Sequence, residues 1–304
     1  MKSPIPDYLN QVLKNARDNE DGAPAAYIET LAKADTSRLA VALAMVDGNI
    51  YSAGDDEVEF SIQSISKAFG TNRPMNPMIN AGAITAHSLV VRPDATAEER
   101  TERILKTLSR LAGRELHVDE EVYEAELRDA DRNMGIGYML KAAGIITCDP
   151  REAVKGYIRQ CAINVNVRDL AMMAATLCNA GLHPVSGERI IHQASVRQVL
   201  SVMTTCGMYD AAGDWVSNVG IPAKSGLDAR GNSVRGVAIC EQLSRDMGLH
   251  MMDIVVVIDP SGVLQWNYEE AESDRHPKVV KNETEARDFI GGTGCKAVST
   301  DDGW

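Results

Sequence analysis

Apolar positions along the chain recur at two spacings, one helical and one extended. Residues 7–18 put Leu9, Val12, Leu13 and Ala16 on one face, which predicts an amphipathic helix. Residues 38–54 read as a β-hairpin. Leu39 to Val46 is an apolar run, Asp47-Gly48 is a favoured two-residue turn, and Asn49 to Ala53 returns. A further extended stretch, Glu57 to Ile62, leads into Ser64. Ser64 therefore falls where extended chain enters a helix, beside the free backbone N–H groups of a helix start.

The middle of the chain is helical. Thr96 with Glu99 forms a capping box ahead of Ile104, Leu105, Leu108 and Leu111, and Gly113 ends that helix. Arg132 to Ala143 predicts a second helix. Asp149-Pro150 opens a third, with Val154, Tyr157, Ile158 and Cys161 on one face. Asn166 caps a fourth that carries Leu170, Met173, Ala174 and Leu177, and Ser195 caps a fifth with Val196, Val199, Leu200 and Met203. Gly220 to Gly226 reads as a short edge strand. Asn232 or Ser233 then caps a last helix with Val234, Val237, Ala238 and Leu243, closed by Gly248. Asp253 to Asn267 predicts another hairpin, turning at Asp259-Pro260-Ser261-Gly262. Strands on both sides of a helical insert imply an α/β fold with an all-α subdomain.

Charge and composition narrow the function. A formal net charge of −12 counts against a duplex nucleic-acid binder and against docking on anionic lipid. The start Met1-Lys2-Ser3-Pro4 has no apolar signal core and no stretch is long enough to span a bilayer, so a cytoplasmic location is expected. The cysteines Cys148, Cys161, Cys178, Cys206, Cys240 and Cys295 form no C-x-x-C pair and fall mostly on apolar helix faces, where buried reduced thiols are expected. His87, His117, His183, His192, His250 and His276 are scattered, so neither metal nor cofactor is expected.

Ser64-x-x-Lys67 places a hydroxyl and an amine one helical turn apart on one face. Serine needs a base within hydrogen-bond reach, and lysine serves when it holds no proton, which burial and neighbouring cations favour. Such a pair arises about once by chance in a chain of this length, and its bland meaning is a capped helix with a solvated lysine. Lys224-Ser225-Gly226 on the later strand gives it weight. The order of the two motifs, with a helical insert between, matches that of serine β-lactamases and penicillin-binding proteins.

Longer segments make the resemblance specific. Gln63-Ser64-Ile65-Ser66-Lys67, Arg73 to Ile84, Arg132-Asn133, Thr205 to Asp210, Gly220 to Gly226 and Gly231 to Gly236 resemble the signature segments of the serine-dependent glutaminase family of bacterial and mitochondrial type, across roughly residues 7–250. The resemblance implies an α/β fold like that of serine β-lactamases and penicillin-binding proteins, an antiparallel sheet flanked by helices, with a helical subdomain over roughly 80–210. Residues 1–250 would be the catalytic domain and 251–304 an extension of unknown role. It implies hydrolysis of L-glutamine to L-glutamate and ammonia, and a homodimer or homotetramer. By resemblance, Ser64 attacks the side-chain amide and Lys67 takes its proton. Tyr209 relays protons and Tyr27 closes over the reacting group. Asn80, Asn133 and Tyr157 face the substrate α-carboxylate, Glu126 pairs with the α-ammonium, Gln63 touches the substrate, and Leu227 holds the place of an oxyanion N–H donor. Without the resemblance, Glu126 and Asn133 read as solvent-facing helix residues, and Tyr27 and Tyr157 as half-buried packing.

Two family segments are missing. The family carries several tens of residues where Gly70 here runs on to Thr71, and two apolar strands where Gly226 runs on to Leu227. These gaps keep open a catalytically impaired relative that acts as a binding or oligomerisation module. A serine enzyme directed at β-lactams or peptidoglycan is a further alternative.

Overall fold

The computed structural model describes residues 4–19, 21, 29–69, 76–225, 234–252, 254–259, 262–267 and 279–280. The chain divides into two units, residues 1–216 with 222–240, and residues 217–221 with 241–304.

In the first unit, helix α1 (Ile5–Arg17) buries Leu9, Val12, Leu13 and Ala16, the four positions its periodicity selects. After the one-turn helix α2 (Glu29–Ala32), strands β1 (Ala40–Ala44) and β2 (Ile50–Gly54) pair antiparallel and pack against α1. Their connection is longer than the expected two-residue turn. Met45 N donates to Asn49 O at 2.8 Å, Gly48 N donates to Met45 O at 3.0 Å, and Gly48 takes φ +89°. Three residues thus reverse the chain, the last in the left-handed conformation that glycine adopts freely.

Of the extended stretch 57–62, only Phe60–Ser61 forms a strand, β3. Its antiparallel partner is β4 (Asn164–Val165), with Phe60 opposite Val165 and Ser61 opposite Asn164. Ile62 N extends the ladder to Ile163 O at 2.8 Å. The Ile62 side chain is fully buried among Leu108, Leu111, Leu116, Ile163 and Met173. Burying an isoleucine contributes about 1.5–3 kcal/mol. Ladder and plug together pin the backbone just before Ser64.

The helical region runs from α3 (Asn80–Ser88) through α4 (Ala97–Ala112), α5 (Glu120–Arg128) and α6 (Asp131–Ala142) to α7 (Pro150–Cys161). The Thr96–Glu99 capping box opens α4, and Gly113 closes it at φ +73°. Asp149 caps α7, with Pro150 in its first turn. Helices α3, α6 and α7 enclose a core that contains Ala83, Ile84, Leu140, Val154, Tyr157 and Ile158.

Helix α8 (Val167–Cys178) has the expected Asn166 cap, bonded reciprocally with Asp169. Ala174, however, faces solvent, and Met172 and Ala175 are buried in its place. Because α8 packs against both α4 and β1, its buried face is wider than one stripe and is centred away from Ala174. Helix α9 (Gln193–Cys206) starts two residues before Ser195, after His192, so Ser195 lies inside the first turn and does not cap it. Helices α10 (Ala212–Asn218) and α11 (Val234–Met247) follow. Residues 220–225 form no strand, and the expected caps at 232 and 233 lie outside the described residues. In α11, Ile239 and Leu243 are buried, whereas Val234, Val237 and Ala238 are half-buried.

In the second unit, Ser244 Oγ donates to Val219 O at 2.6 Å. Strands β5 (Ile254–Asp259) and β6 (Gly262–Asn267) form the expected hairpin, with Asp259 opposite Gly262, and β7 (Val279–Val280) pairs with β6. Among the described cysteines only Cys161 is buried and Cys178 is exposed, which corrects the expectation of mostly buried thiols. No helix among the described residues is long and apolar enough to cross a membrane.

Candidate active site

The site lies within the first unit and starts at the segment pinned by Ile62. Gln63–Phe69 forms a 3₁₀ helix, not an α-helix. At three residues per turn, positions i and i+3 eclipse, so Ser64 and Lys67 still share a face. The lysine is 2% exposed, which removes its amine from water.

Lys67 Nζ donates to Asn80 Oδ1 at 2.8 Å and to the Tyr209 phenol oxygen at 3.1 Å. Asn80 opens α3. Its Nδ2 donates to Asn133 Oδ1 of α6 at 2.9 Å, and its Oδ1 also accepts from the Tyr157 hydroxyl of α7 at 3.4 Å. Burial holds the Tyr157 phenol well above its ordinary value of 10.

Ser64 also acts on the Tyr209 phenol, so one phenol is coupled to both hydroxyl and amine. Burial alone would raise its pKa. The positive charges of Lys67 and Lys224, with hydrogen bonds to Ser64 and Lys67, outweigh burial and hold the phenol below 10. Tyr209 sits at φ +53° and Gln63 at φ +47°, a conformation costly for residues other than glycine and often stored at functional sites.

The last wall comes from residues 222–225. Ser225 N donates to Gly207 O at 3.2 Å. A Cβ on Gly207 would stand 1.7 Å from Ala223 O, so only glycine allows this approach. It brings Lys224 Nζ 4.2 Å from the centroid of the Tyr209 ring. Burial lowers the Lys224 pKa to about 8, opposed by Tyr209 and reinforced by Lys67.

Glu126 of α5 faces the other side. Burial raises its carboxyl to about 7, against the opposing effects of Gln63 and Lys67. Gln63 Nε2 stands 3.5 Å from it, at the limit of a hydrogen bond, so the carboxylate is poorly compensated.

Of the residues expected at the site, Gln63, Ser64, Lys67, Asn80, Glu126, Asn133, Tyr157 and Tyr209 are connected by these contacts. Tyr27 and Leu227 lie outside the described residues. Sequence reasoning placed Lys224 in a motif but gave it no role at the site. It gave no role to Ser66, quoted only as part of a family segment, or to His87, named only among scattered histidines, and it missed Gln160, which follows Tyr157 by one helical turn on α7. Among the described residues, no His, Cys, Asp or Glu side chains cluster to hold a metal ion.

The sequence profile of the glutaminase family matches residues 22–71 and 69–227. The match is interrupted at the Gly70–Thr71 junction and stops one residue past Gly226, the two places where the sequence reading expects family segments to be absent. The glutaminase of Corynebacterium glutamicum is 45% identical over 303 aligned residues, covering 82% of this chain and 73% of that one. The aligned length exceeds the covered part of this chain, so the relative carries positions inside the match that this chain lacks. The solved structure of Mglu in its glutamate form has a TM-score of 0.79 at 39% identity, over 86% of this chain and 75% of that one. A probable glutaminase from Bacillus subtilis, solved with 6-diazo-5-oxo-L-norleucine, has a TM-score of 0.77 at 28% identity, over 83% and 98%. The fold is that of the glutaminases, an α/β fold of the serine β-lactamase kind, and the chain belongs to the glutaminase family.

Proposed function

We propose that this chain hydrolyses L-glutamine to L-glutamate and ammonia through an acyl-enzyme on Ser64. One observation carries the reading: a buried lysine, Lys67, one turn from Ser64, is held by Asn80 and by the Tyr209 phenol. Lys67 takes the Ser64 proton as Oγ attacks the amide carbon. Tyr209 passes a proton to the leaving ammonia and later receives one from the water that breaks the ester, while Lys67 returns its proton to Ser64 Oγ. Glu126 takes the substrate α-ammonium, for which its poorly compensated carboxylate is suited, while Asn80, Asn133 and Tyr157 face the α-carboxylate. Gln63 touches the substrate beside Glu126. The N–H of Ser64 and that of Leu227 serve the oxyanion, and Tyr27 covers the site. Residues 1–250 as the catalytic domain, 251–304 as an extension, a cytoplasmic location and a homodimer or homotetramer belong to the same reading. Fractionation and light scattering test the last two.

The deciding experiment compares ammonia release from L-glutamine by the purified chain and by Ser64→Ala. The mass of the protein after treatment with 6-diazo-5-oxo-L-norleucine is read alongside. Turnover and a covalent adduct in the wild type, both absent from the variant, support the reading. Equal rates in the two remove it.

A further inference from the structure

Two consecutive residues of the nucleophile segment are tied to one helix by separate links. Lys67 bonds Asn80 directly at 2.8 Å. Ser66 reaches His87, seven residues further along α3, through Gln160 of α7. Gln160 Nε2 donates to Ser66 Oγ at 3.0 Å and to Ser66 O at 3.4 Å. Its Oε1 accepts from His87 Nδ1 at 3.1 Å. All three side chains are buried. The His87 ring is confined from behind by Gly156, one turn before Gln160, where a Cβ would lie 2.2 Å from Nε2. A 3₁₀ helix has poorer internal hydrogen bonds than an α-helix, so the Ser64–Lys67 turn depends on outside contacts for its position. The charged and titratable groups around the link are Arg100 of α4 beside His87, Cys161 and Tyr157 of α7, and Lys67 itself.

We propose that Gln160 is a positioning residue: its carboxamide, oriented by His87, fixes the Ser66 backbone so that Lys67 stays seated on Asn80 and Tyr209. Gln160 is given no contact with substrate. Its effect is carried by Ser66, and it rests on the reading of Ser64 and Lys67 as nucleophile and base. The acceptor role of Oε1 requires the proton on His87 Nδ1. Burial supports the neutral ring by lowering its pKa to about 4.

The test measures kcat and KM for L-glutamine across pH, with thermal unfolding, for wild type, Gln160→Met, Gln160→Glu, Ser66→Ala and Ser64→Ala. Gln160→Met is expected to lose about a hundred-fold in kcat, the scale of a catalytic group displaced by about 1 Å, with KM changed by less than about threefold. Gln160→Glu keeps activity while its carboxyl is protonated and can imitate the amide. It loses activity as that carboxyl ionises, adding an alkaline limb that the wild type lacks. Ser66→Ala retains the carbonyl contact and loses about tenfold in kcat, which keeps the proposal testable if Gln160→Met does not fold. A folded Gln160→Met with wild-type kcat and pH profile, or with a loss confined to KM, overturns the proposal alone. Ser64→Ala indistinguishable from wild type, or a wild type inert toward glutamine, overturns the underlying reading and the proposal with it.

Discussion

The ammonium of Lys224 stands 4.2 Å from the centroid of the Tyr209 ring, on a phenol that also accepts a hydrogen bond from Lys67 at 3.1 Å. Two lysines thus act on one relay group and together overcome the burial that would raise its pKa. Lys224→Met removes one of them. The phenol should rise toward its ordinary range, and the rate near neutral pH should fall by at least about tenfold, the low side of what general acid–base groups contribute. The pH–rate profile of the variant, displaced toward higher pH, checks this; an undisplaced profile would show that Lys224 does not tune the phenol.

Glu126 gives a pH dependence of unusual sign. Its folded-state pKa, about 7, lies above the ordinary 4.5 because burial penalises the carboxylate. Between pH 4.5 and 7 the folded chain holds a proton that the unfolded chain has released, so stability falls as pH rises through that window. Glu126→Gln should therefore raise the unfolding temperature at pH 8. The stabilisation is on the order of 1–3 kcal/mol. The ammonium of the substrate needs the ionised form, so KM of the wild type should rise as pH falls below about 7. In Glu126→Gln, KM should be high at every pH. A KM that stays flat from pH 8 to 6 would remove Glu126 from the substrate site.

Asp169 performs two tasks with two oxygens. Oδ2 accepts from the backbone N of the Asn166 cap at 2.8 Å, and both oxygens receive the Arg114 guanidinium, at 2.9 and 2.6 Å. The carboxylate is 5% exposed while Glu59, the second partner of Arg114, is 33% exposed. Asp169→Asn should cost about 2–3 kcal/mol, because it breaks an ion pair whose carboxylate is buried and weakens a cap. Glu59→Gln should cost less than about 1 kcal/mol. Urea titration of both variants decides whether burial separates them in this way.

Gly156 is required by its neighbour, not by its own backbone. A methyl group there would collide with His87 Nε2 at 2.2 Å, and His87 on α3 is itself buried. Gly156→Ala should destabilise the fold by about 1–3 kcal/mol, even though alanine is the better helix former. Ring nitrogen NMR should show the His87 imidazole neutral at pH 5, protonated on Nδ1, in the wild type. His87 also limits stability on the acid side. Its folded pKa of about 4 lies below the ordinary 6.5, so stability is lost as pH falls from 6.5 toward 4, the reverse of the Glu126 trend.

Signals spanning one turn or one helix were readable in the sequence. The Thr96–Glu99 box, the Asp149-Pro150 start and the buried face of α1 depend on neighbours within a few residues, and each stands in the structure as expected. So did the Ser64–Lys67 spacing and the family segments, which pointed to the glutaminase family before any contact was known. Helix α5 escaped because its nine residues bury only Val122 and Ala125, too few for a period to show. Strand β4 escaped because two residues become a strand only when β3, about a hundred positions earlier, lies beside them. Ala174 was misplaced because the width of a buried face is set by what packs on it.

The sequence by itself determined which groups are available and which of them share a helical turn. The tertiary structure decided which groups meet. Lys67 touches Asn80 and Tyr209 across 13 and 142 positions, and Gln160 reaches Ser66 across 94. No local propensity encodes such distances. They follow from the burial of Ile62 and from the packing of α3 against α7, which set the environment of a lysine that the sequence could only name.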